Sequence, residues 1–161
     1  MQTTQIPDVR KNVTVPVDPT RAFEIFTTHP SVWWPPSHVL LRTPRVGLKI
    51  EPGVGGRYLE WDRTGLEAQW GVVTVWEPAR RLRFTWRVGA DFRPLSTDDG
   101  ASEIDVSFAA APGGTRVELA HTELGRLGDA GRALRAALDG ESPGETLELF
   151  ALAVEKLGAR P

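Results

Sequence analysis

The sequence predicts an α+β domain in which a curved antiparallel sheet of about six to seven strands wraps around a long C-terminal helix. Two stretches carry this prediction. Residues 57–88 contain three strand-forming runs, and the turns between them are too short for crossover helices, so the strands should pair as an antiparallel meander. Residues 143–158 have the pattern of an amphipathic helix. An antiparallel sheet with one apolar face needs a cover, which this helix supplies.

Length and composition indicate an ordinary globular protein. With 161 residues, the chain is long enough for a substantial core, and we expect a single domain over 1–161 with a loose tail at 1–8. A net charge of −2 gives no electrostatic basis for binding nucleic acid or an anionic membrane. The absence of cysteine excludes disulfides and thiolate zinc sites. No stretch resembles a signal peptide or a membrane span, so we expect a cytoplasmic protein, and no motif calls for a cofactor.

The first elements are a strand, a short helix and a second strand. Residues 9–17 alternate between apolar and polar side chains, which is typical of a half-buried strand. Asp18 followed by Pro19 marks a helix start, because Asp can cap the helix and Pro fits its first turn. That helix should end near Thr28, where another proline follows two residues later. Residues 46–50 alternate again and predict the second strand.

The rest of the sheet and the terminal helix follow from the same signals. The predicted elements, in chain order, are strands at 57–61, 68–76 and 82–88, a polar loop at 89–100, strands at 103–108 and 116–121 around a turn at 112–114, and a short helix at 129–138. The terminal helix starts with a capping box at 142–145 and ends at Gly158. Its apolar stripe consists of Leu147, Phe150, Ala151, Val154 and Leu157.

Several motifs resemble one protein superfamily. GVGGRYLEW at 53–61, WGVVTVWEP at 70–78, RRLRFTW at 80–86 and VELAHTEL at 117–124 are similar to the START-like (SRPBCC) superfamily, in its branch named for the activator of heat-shock protein 90 ATPase homologue. The resemblance covers about residues 10–157 and implies a helix-grip fold with a hydrophobic cavity between sheet and helix. One departure is Gly144-Glu145, where the family often has Gly-Trp, which alters a wall or rim of that cavity.

The tryptophans are candidates for an aromatic binding box or for simple core packing. In the strand at 82–88, Trp86 shares a face with two other apolar residues and should point inward, whereas Arg81, Arg83 and Arg87 share the other face. Adjacent Trp33 and Trp34 cannot both face one core, which places one of them at a cavity mouth. The predicted ligand-binding residues are Trp33, Trp34, Tyr58, Trp70, Trp86, His121 and Phe150.

Ionisable candidates are fewer. His29, His38 and His121 have no ligand-forming spacing, so we expect no metal site. His121 has the strand parity of inward-facing neighbours and could be a core histidine bonded to the backbone or a polar anchor in the cavity. Glu60 shares parity with Tyr58 and faces inward if Tyr58 does, but is exposed if Leu59 and Trp61 face inward instead. The alternation does not choose between these arrangements.

Three functions are compatible with these residues; the sequence favours the first, and the other two are alternatives. The first is non-catalytic binding of a small hydrophobic or aromatic molecule, because the sequence has no Ser-His-Asp motif, nucleophile elbow or dinucleotide fingerprint. The second is an enzyme of the cyclase, dehydratase or hydrolase kind, with His121 and Glu60 as catalytic acid and base. The third is a protein-interaction module with an exposed patch at Trp33 and Trp34. The partner expected is a small hydrophobic molecule, and a homodimer is compatible with the sequence.

Overall fold

The computed structural model describes residues 8–33, 41, 43–86, 101–127 and 145–158. The elements are β1 (Val9–Val15), α1 (Pro19–Thr28), α2 (Pro30–Trp33), β2 (Arg45–Ile50), β3 (Arg57–Asp62), β4 (Glu67–Glu77), β5 (Arg81–Trp86), β6 (Ser102–Ala111), β7 (Gly114–Thr122), a 3₁₀ turn (Leu124–Leu127) and α3 (Glu145–Gly158). The polar loop predicted at 89–100, the helix predicted at 129–138 and most of the predicted capping box lie outside the described residues.

The strands form a seven-stranded sheet in the order β1-β7-β6-β5-β4-β3-β2, and each pair is antiparallel. The meander predicted from residues 57–88 is therefore confirmed over β3, β4 and β5. From β2 to β7, each strand pairs with the strand that follows it in the sequence, and β1 lies at the edge of the sheet beside β7. This curved sheet with its C-terminal helix is the predicted helix-grip arrangement.

Local signals explain where the first helix begins. The side chain of Asp18 accepts a hydrogen bond of 2.8 Å from the backbone N–H of Arg21, and Pro19 occupies the first helical position. The Asp18 side chain thus satisfies one of the backbone N–H groups that a helix start leaves without partners, and Pro19 has no N–H group that needs one. None of the helices in the described parts of the chain has the length and apolarity that a membrane crossing requires.

The core lies between the inner face of the sheet and the helices. Leu147, Phe150 and Val154 of α3 are buried, as the predicted stripe requires, and they share one cluster with residues of the sheet and of α1. Helix α3 also packs against β1, α1 and α2. Its opposite face carries Leu152, which is 51% exposed. The helix therefore covers the sheet along the face that its apolar spacing predicts.

The two faces of β5 differ as the alternation predicts. Leu82, Phe84 and Trp86 are buried in the core. Arg81 and Arg83 lie on the other face and form ion pairs with Asp105 and Glu103 of the neighbouring strand β6. This fits a partly solvated sheet face with charge pairs between strands. Arg87 lies outside the described residues.

Candidate functional site

A cluster of aromatic and polar side chains occupies the inner face of the sheet from β3 to β7. We call Glu60, Trp70, Trp86, Ser102 and His121 the inner-face cluster. The rings of Trp70 and Trp86 lie 4.9 Å apart at an angle of 36°. Trp86 in turn meets His121 edge to face, with a centroid distance of 5.9 Å. Strand alternation places these side chains, because Trp86 continues the apolar face of β5 and His121 continues that of β7.

Glu60 is the buried carboxylate of this cluster. It is 0% exposed and accepts a hydrogen bond of 2.6 Å from the indole N–H of Trp70. The guanidinium of Arg45 lies 3.8 Å from the same carboxylate oxygen, and the backbone N–H of Leu41 lies 3.4 Å from the other. A buried carboxylate is costly unless such partners compensate its lost hydration. The first of the two arrangements predicted for β3 is therefore correct, with Glu60 turned inward.

Tyr58 lies on the same face, two residues before Glu60. It is fully buried, and its ring meets that of Phe84 edge to face at 5.1 Å. Burial raises the pKa of the Tyr58 phenol well above its usual value; the positive charge of Arg45 opposes this shift, and the negative charge of Glu60 adds to it. The phenol therefore stays protonated and lies within electrostatic reach of both charged groups.

His121 is buried as a neutral imidazole. It is 2% exposed, and its Nε2 shares a hydrogen bond of 2.6 Å with the hydroxyl of Ser102. Burial lowers the pKa of His121 to about 3, so the ring carries no charge near neutral pH. The tautomer decides which of the two groups donates. The partner observed is a side-chain hydroxyl and not the backbone group considered as one alternative above.

The acid and base that the sequence suggested are not adjacent in the contacts of this cluster. These contacts run from Glu60 to Trp70, from Trp70 to Trp86 and from Trp86 to His121. Two indole rings thus link the carboxylate to the imidazole.

Trp33 and Phe150 belong to a second aromatic group in the same core. Their rings lie 5.9 Å apart, and Phe26 contacts both of them. Trp33 is 1% exposed, and its indole N–H donates to the carbonyl of Phe26 over 3.2 Å. The expectation of an exposed patch is therefore wrong for Trp33, because α2 turns this ring into the core. Trp34 lies outside the described residues.

Two polar residues of the site were not among the candidates. Ser102 precedes the predicted start of β6, but extending that strand's alternation by two residues from Ile104 would have placed it on the inner face. Arg45 had no such signal, because strict alternation from Leu48 would have placed it on the outer face. Its inward position depends on an irregularity in strand pairing.

A cleft of ≈ 330 Å³ opens beside the carboxylate end of the cluster. It is lined by Thr43, Pro44, Val46, Asp62, Arg63 and Thr64. Asp62 follows Glu60 by two residues on β3, and hydrogen bonds from the hydroxyls of Thr43 and Thr64 lower its pKa to about 2. These six lining residues include none of the predicted ligand-binding residues. Within the described ranges, no three His, Asp or Glu side chains are grouped so that they could hold a metal ion.

Solved structures with the same architecture span nearly the whole chain. Protein NE0264 from Nitrosomonas europaea is 15% identical, with a TM-score of 0.66 over 95% of this chain and 97% of that one. An AHSA1-like protein from Aeromonas hydrophila is 19% identical, with a TM-score of 0.62 over 96% of each chain. At these identities the likeness concerns the fold alone.

Sequence similarity is much higher to an enzyme. An anthrahydroquino-gamma-pyrone synthase, Txn09, is 52% identical, covers 92% of this chain and 97% of its own, and superimposes with a TM-score of 0.63. No curated protein matches the chain in sequence. The family described as "Activator of Hsp90 ATPase homolog 1-like protein" matches residues 16–137. The chain therefore belongs to this family, within the START-like superfamily.

Proposed function

We propose that this protein binds a planar polycyclic aromatic molecule on the inner face of its sheet and closes an oxygen-containing ring on it. The observation that carries the proposal is the similarity to Txn09, whose name describes the formation of a gamma-pyrone on an anthrahydroquinone. The reaction class is a cyclisation with loss of water. This favours the enzyme hypothesis over the non-catalytic binding that the sequence alone favours.

The chemistry of gamma-pyrone formation sets what the site must supply. A phenol adds through its oxygen to a ketone of a neighbouring β-diketone side chain, so a C–O bond forms and the phenolic proton leaves. The resulting hemiketal then loses water, and the ring becomes unsaturated. No electron enters or leaves, so orientation and proton transfer are the two contributions that a protein can make.

The inner-face cluster offers both contributions. In the proposed complex a flat polycycle packs against the indoles of Trp70 and Trp86, since stacked rings gain energy beyond the burial of their area. Glu60 is the group proposed to accept the phenolic proton, since it is the buried carboxyl group next to the indole of Trp70. His121 acts as a neutral hydrogen-bonding partner, because its lowered pKa leaves no imidazolium to donate a proton near pH 7.

That property of His121 also favours a second candidate function. A site with a neutral imidazole and little free charge resembles a binding pocket, in which few polar groups fix the orientation of a mostly apolar ligand. The protein would then bind the same class of aromatic molecule without converting it.

Both functions can be tested with one synthetic probe. The probe is a hydroxyanthraquinone, in its quinone and reduced forms, with a β-diketone side chain beside the phenolic hydroxyl. Quenching of tryptophan fluorescence measures binding, and chromatography with mass spectrometry measures loss of water above the spontaneous rate. Turnover supports the enzyme, and binding without turnover supports the second function.

The matched pair of variants for this assay is Glu60→Gln and Leu152→Ala. Glu60→Gln keeps the shape and an acceptor for Trp70 but removes the proton acceptor, so turnover should fall by about 100-fold or more while binding persists. Leu152→Ala, on the exposed face of α3, should match the wild type. Absence of both binding and turnover in the wild-type protein would refute both functions.

A further inference from the structure

A β-bulge in β2 turns one arginine towards the inner face. Leu48 lies opposite Glu60, and Ile50 lies opposite Tyr58, so these β2 residues share the inner face with their partners. Strict alternation would put Arg45 on the outer face with Gly47 and Lys49. The register instead shifts between Arg45 and Gly47, which leaves Arg45 opposite Asp62.

The outer face of β2 carries a large aromatic ring next to the bulge. The ring of Trp61 lies over Gly47 so closely that a Cβ there would fall 2.1 Å from a ring carbon. The extra residue of the bulge, Val46, is 55% exposed and lines the cleft beside the cluster. Bulges re-aim side chains in this way and are over-represented next to active sites.

Arg45 forms an ion pair with the carboxylate of Glu60. The side chain is 16% exposed, and its Nη1 lies 3.8 Å from Oε1 of Glu60. That distance is an ion pair and not a direct hydrogen bond. Arg81 and Arg83 differ, since they lie on the opposite face and hydrogen-bond directly to the carboxylates of Asp105 and Glu103. Arg45 is thus a cation held beside the carboxylate that the proposed reaction uses as its base.

We propose that Arg45 is a second catalytic residue, which contacts the ketone oxygen of an acidic β-diketone substrate during ring closure. This inference rests on the cyclisation proposed above. As the phenolic oxygen bonds to the ketone carbon, the C=O π electrons move to the ketone oxygen, and the phenolic proton moves to Glu60. The guanidinium stabilises the negative charge on that oxygen until it takes the proton from Glu60 and becomes the hemiketal hydroxyl. In the second step the carbon between the two carbonyl positions gives a proton to Glu60, its C–H electrons form the ring C=C bond, and the hydroxyl takes that proton and leaves as water. Fixed donors placed where charge develops are the largest contribution in many enzymes.

The substrate class follows from the same geometry. A guanidinium suits two oxygens in a plane, which the two carbonyl groups of a β-diketone present. The site should therefore prefer polycyclic aromatics with a β-diketone over plain polycycles of equal size. Lysine offers a point charge without the planar fork and should replace Arg45 poorly.

The first arm of the test measures turnover of the diketone-bearing hydroxyanthraquinone by Arg45→Gln, Arg45→Lys and Arg81→Gln. Arg45→Gln should lower kcat by about 100-fold to 1,000-fold, the usual effect of removing one oxyanion donor. Arg45→Lys should recover only part of it. The control Arg81→Gln removes a strand arginine from the opposite face and should keep the wild-type kcat. Added guanidinium ion should partly restore the kcat of Arg45→Gly.

The second arm measures binding without turnover, with a probe whose phenol is methylated so that it cannot cyclise. Tryptophan quenching compares this probe with the same polycycle lacking the diketone. Arg45→Gln should lower the affinity for the diketone probe by about 10-fold or more and leave the affinity for the plain polycycle unchanged. If the wild type turns over the substrate and Arg45→Gln has the same kcat, the role of Arg45 is refuted but the cyclisation is not. Wild-type binding without turnover would refute the cyclisation, and equal weakening of both probes would also refute recognition of the diketone by Arg45.

Discussion

Trp70 donates its indole N–H to the fully buried carboxylate of Glu60 over 2.6 Å, and this hydrogen bond joins the aromatic and the charged parts of the inner face. Trp70→Phe keeps the ring that stacks on Trp86 but removes the donor. The buried carboxylate then loses one of its compensating partners, so we expect the free energy of unfolding to fall by about 1–3 kcal/mol in urea titrations.

A double variant tests the origin of that loss. Trp70→Phe is combined with Glu60→Gln, and Glu60→Gln should cost less stability in the Trp70→Phe protein than in the wild type, because the indole donor to the carboxylate is already gone. Additive losses in this cycle would show that the destabilisation comes from packing of the ring and not from the carboxylate.

We expect the burial of His121 to make the protein less stable in weak acid. Its folded-state pKa is lowered to about 3 by burial, whereas an unfolded chain titrates near the ordinary value of about 6.5. Between these values the unfolded state binds a proton that the folded state refuses, so stability rises with pH across this window. At about pH 5 the expected loss relative to neutral pH is about 2 kcal/mol.

The check is a comparison of urea unfolding at both pH values in wild type and His121→Gln. Glutamine can still bond to Ser102 but does not titrate, so the variant's stability should change less between the two pH values. An identical change in both proteins would place the acid sensitivity in other groups.

The terminal helix contributes to stability through one face. Phe150 is fully buried and meets both Phe26 and Trp33, so Phe150→Ala should cost about 3–5 kcal/mol and lower the melting temperature clearly. Leu152→Ala, two residues along the same helix, removes an exposed side chain and should change stability by less than about 0.5 kcal/mol. Similar losses in both variants would mean that the burial of Phe150 does not decide the effect.

Sequence periodicity predicted those parts of the site that lie on regular strands. Trp86 and His121 point inward because β5 and β7 alternate without interruption, and Phe150 follows the helical stripe. On β3 the pattern was insufficient, since Tyr58, Leu59 and Glu60 are all buried and alternation could not separate the two faces. The orientation of that strand depends on its partners in the sheet.

Irregular pairing explains the parts that the sequence could not predict. The register of β3 against β4 shifts between Tyr58 and Leu59, which contributes to the meeting of Glu60 with Trp70. The register of β2 shifts next to Arg45 and reverses the direction of its side chain. A bulge changes which residue faces inward without changing composition or spacing, so a pattern of period two gives the wrong face beyond it.

The close approach of β4 and β5 at Gly71 leads to a last prediction. A Cβ on Gly71 would lie 1.7 Å from the carbonyl oxygen of Thr85, and the hydroxyl of Thr85 accepts the N–H of Val72 over 2.9 Å. Gly71→Ala must therefore push the two strands apart, at a cost of about 1–3 kcal/mol or more. Because Trp70 precedes Gly71 and stacks on Trp86 of β5, the same shift should separate the two indoles and weaken binding of the polycyclic probe.

Thr74→Ala is the control for this prediction, since Thr74 is exposed on the same strand and should tolerate the change. Urea unfolding reports the stability of each variant, and tryptophan fluorescence reports both the contact of the two indoles and probe binding. If Gly71→Ala is destabilised but binds the probe as tightly as the wild type, the spacing of Trp70 and Trp86 does not determine affinity. If it retains full stability, the strands can separate at Gly71 without loss, and the close approach is not required by the fold.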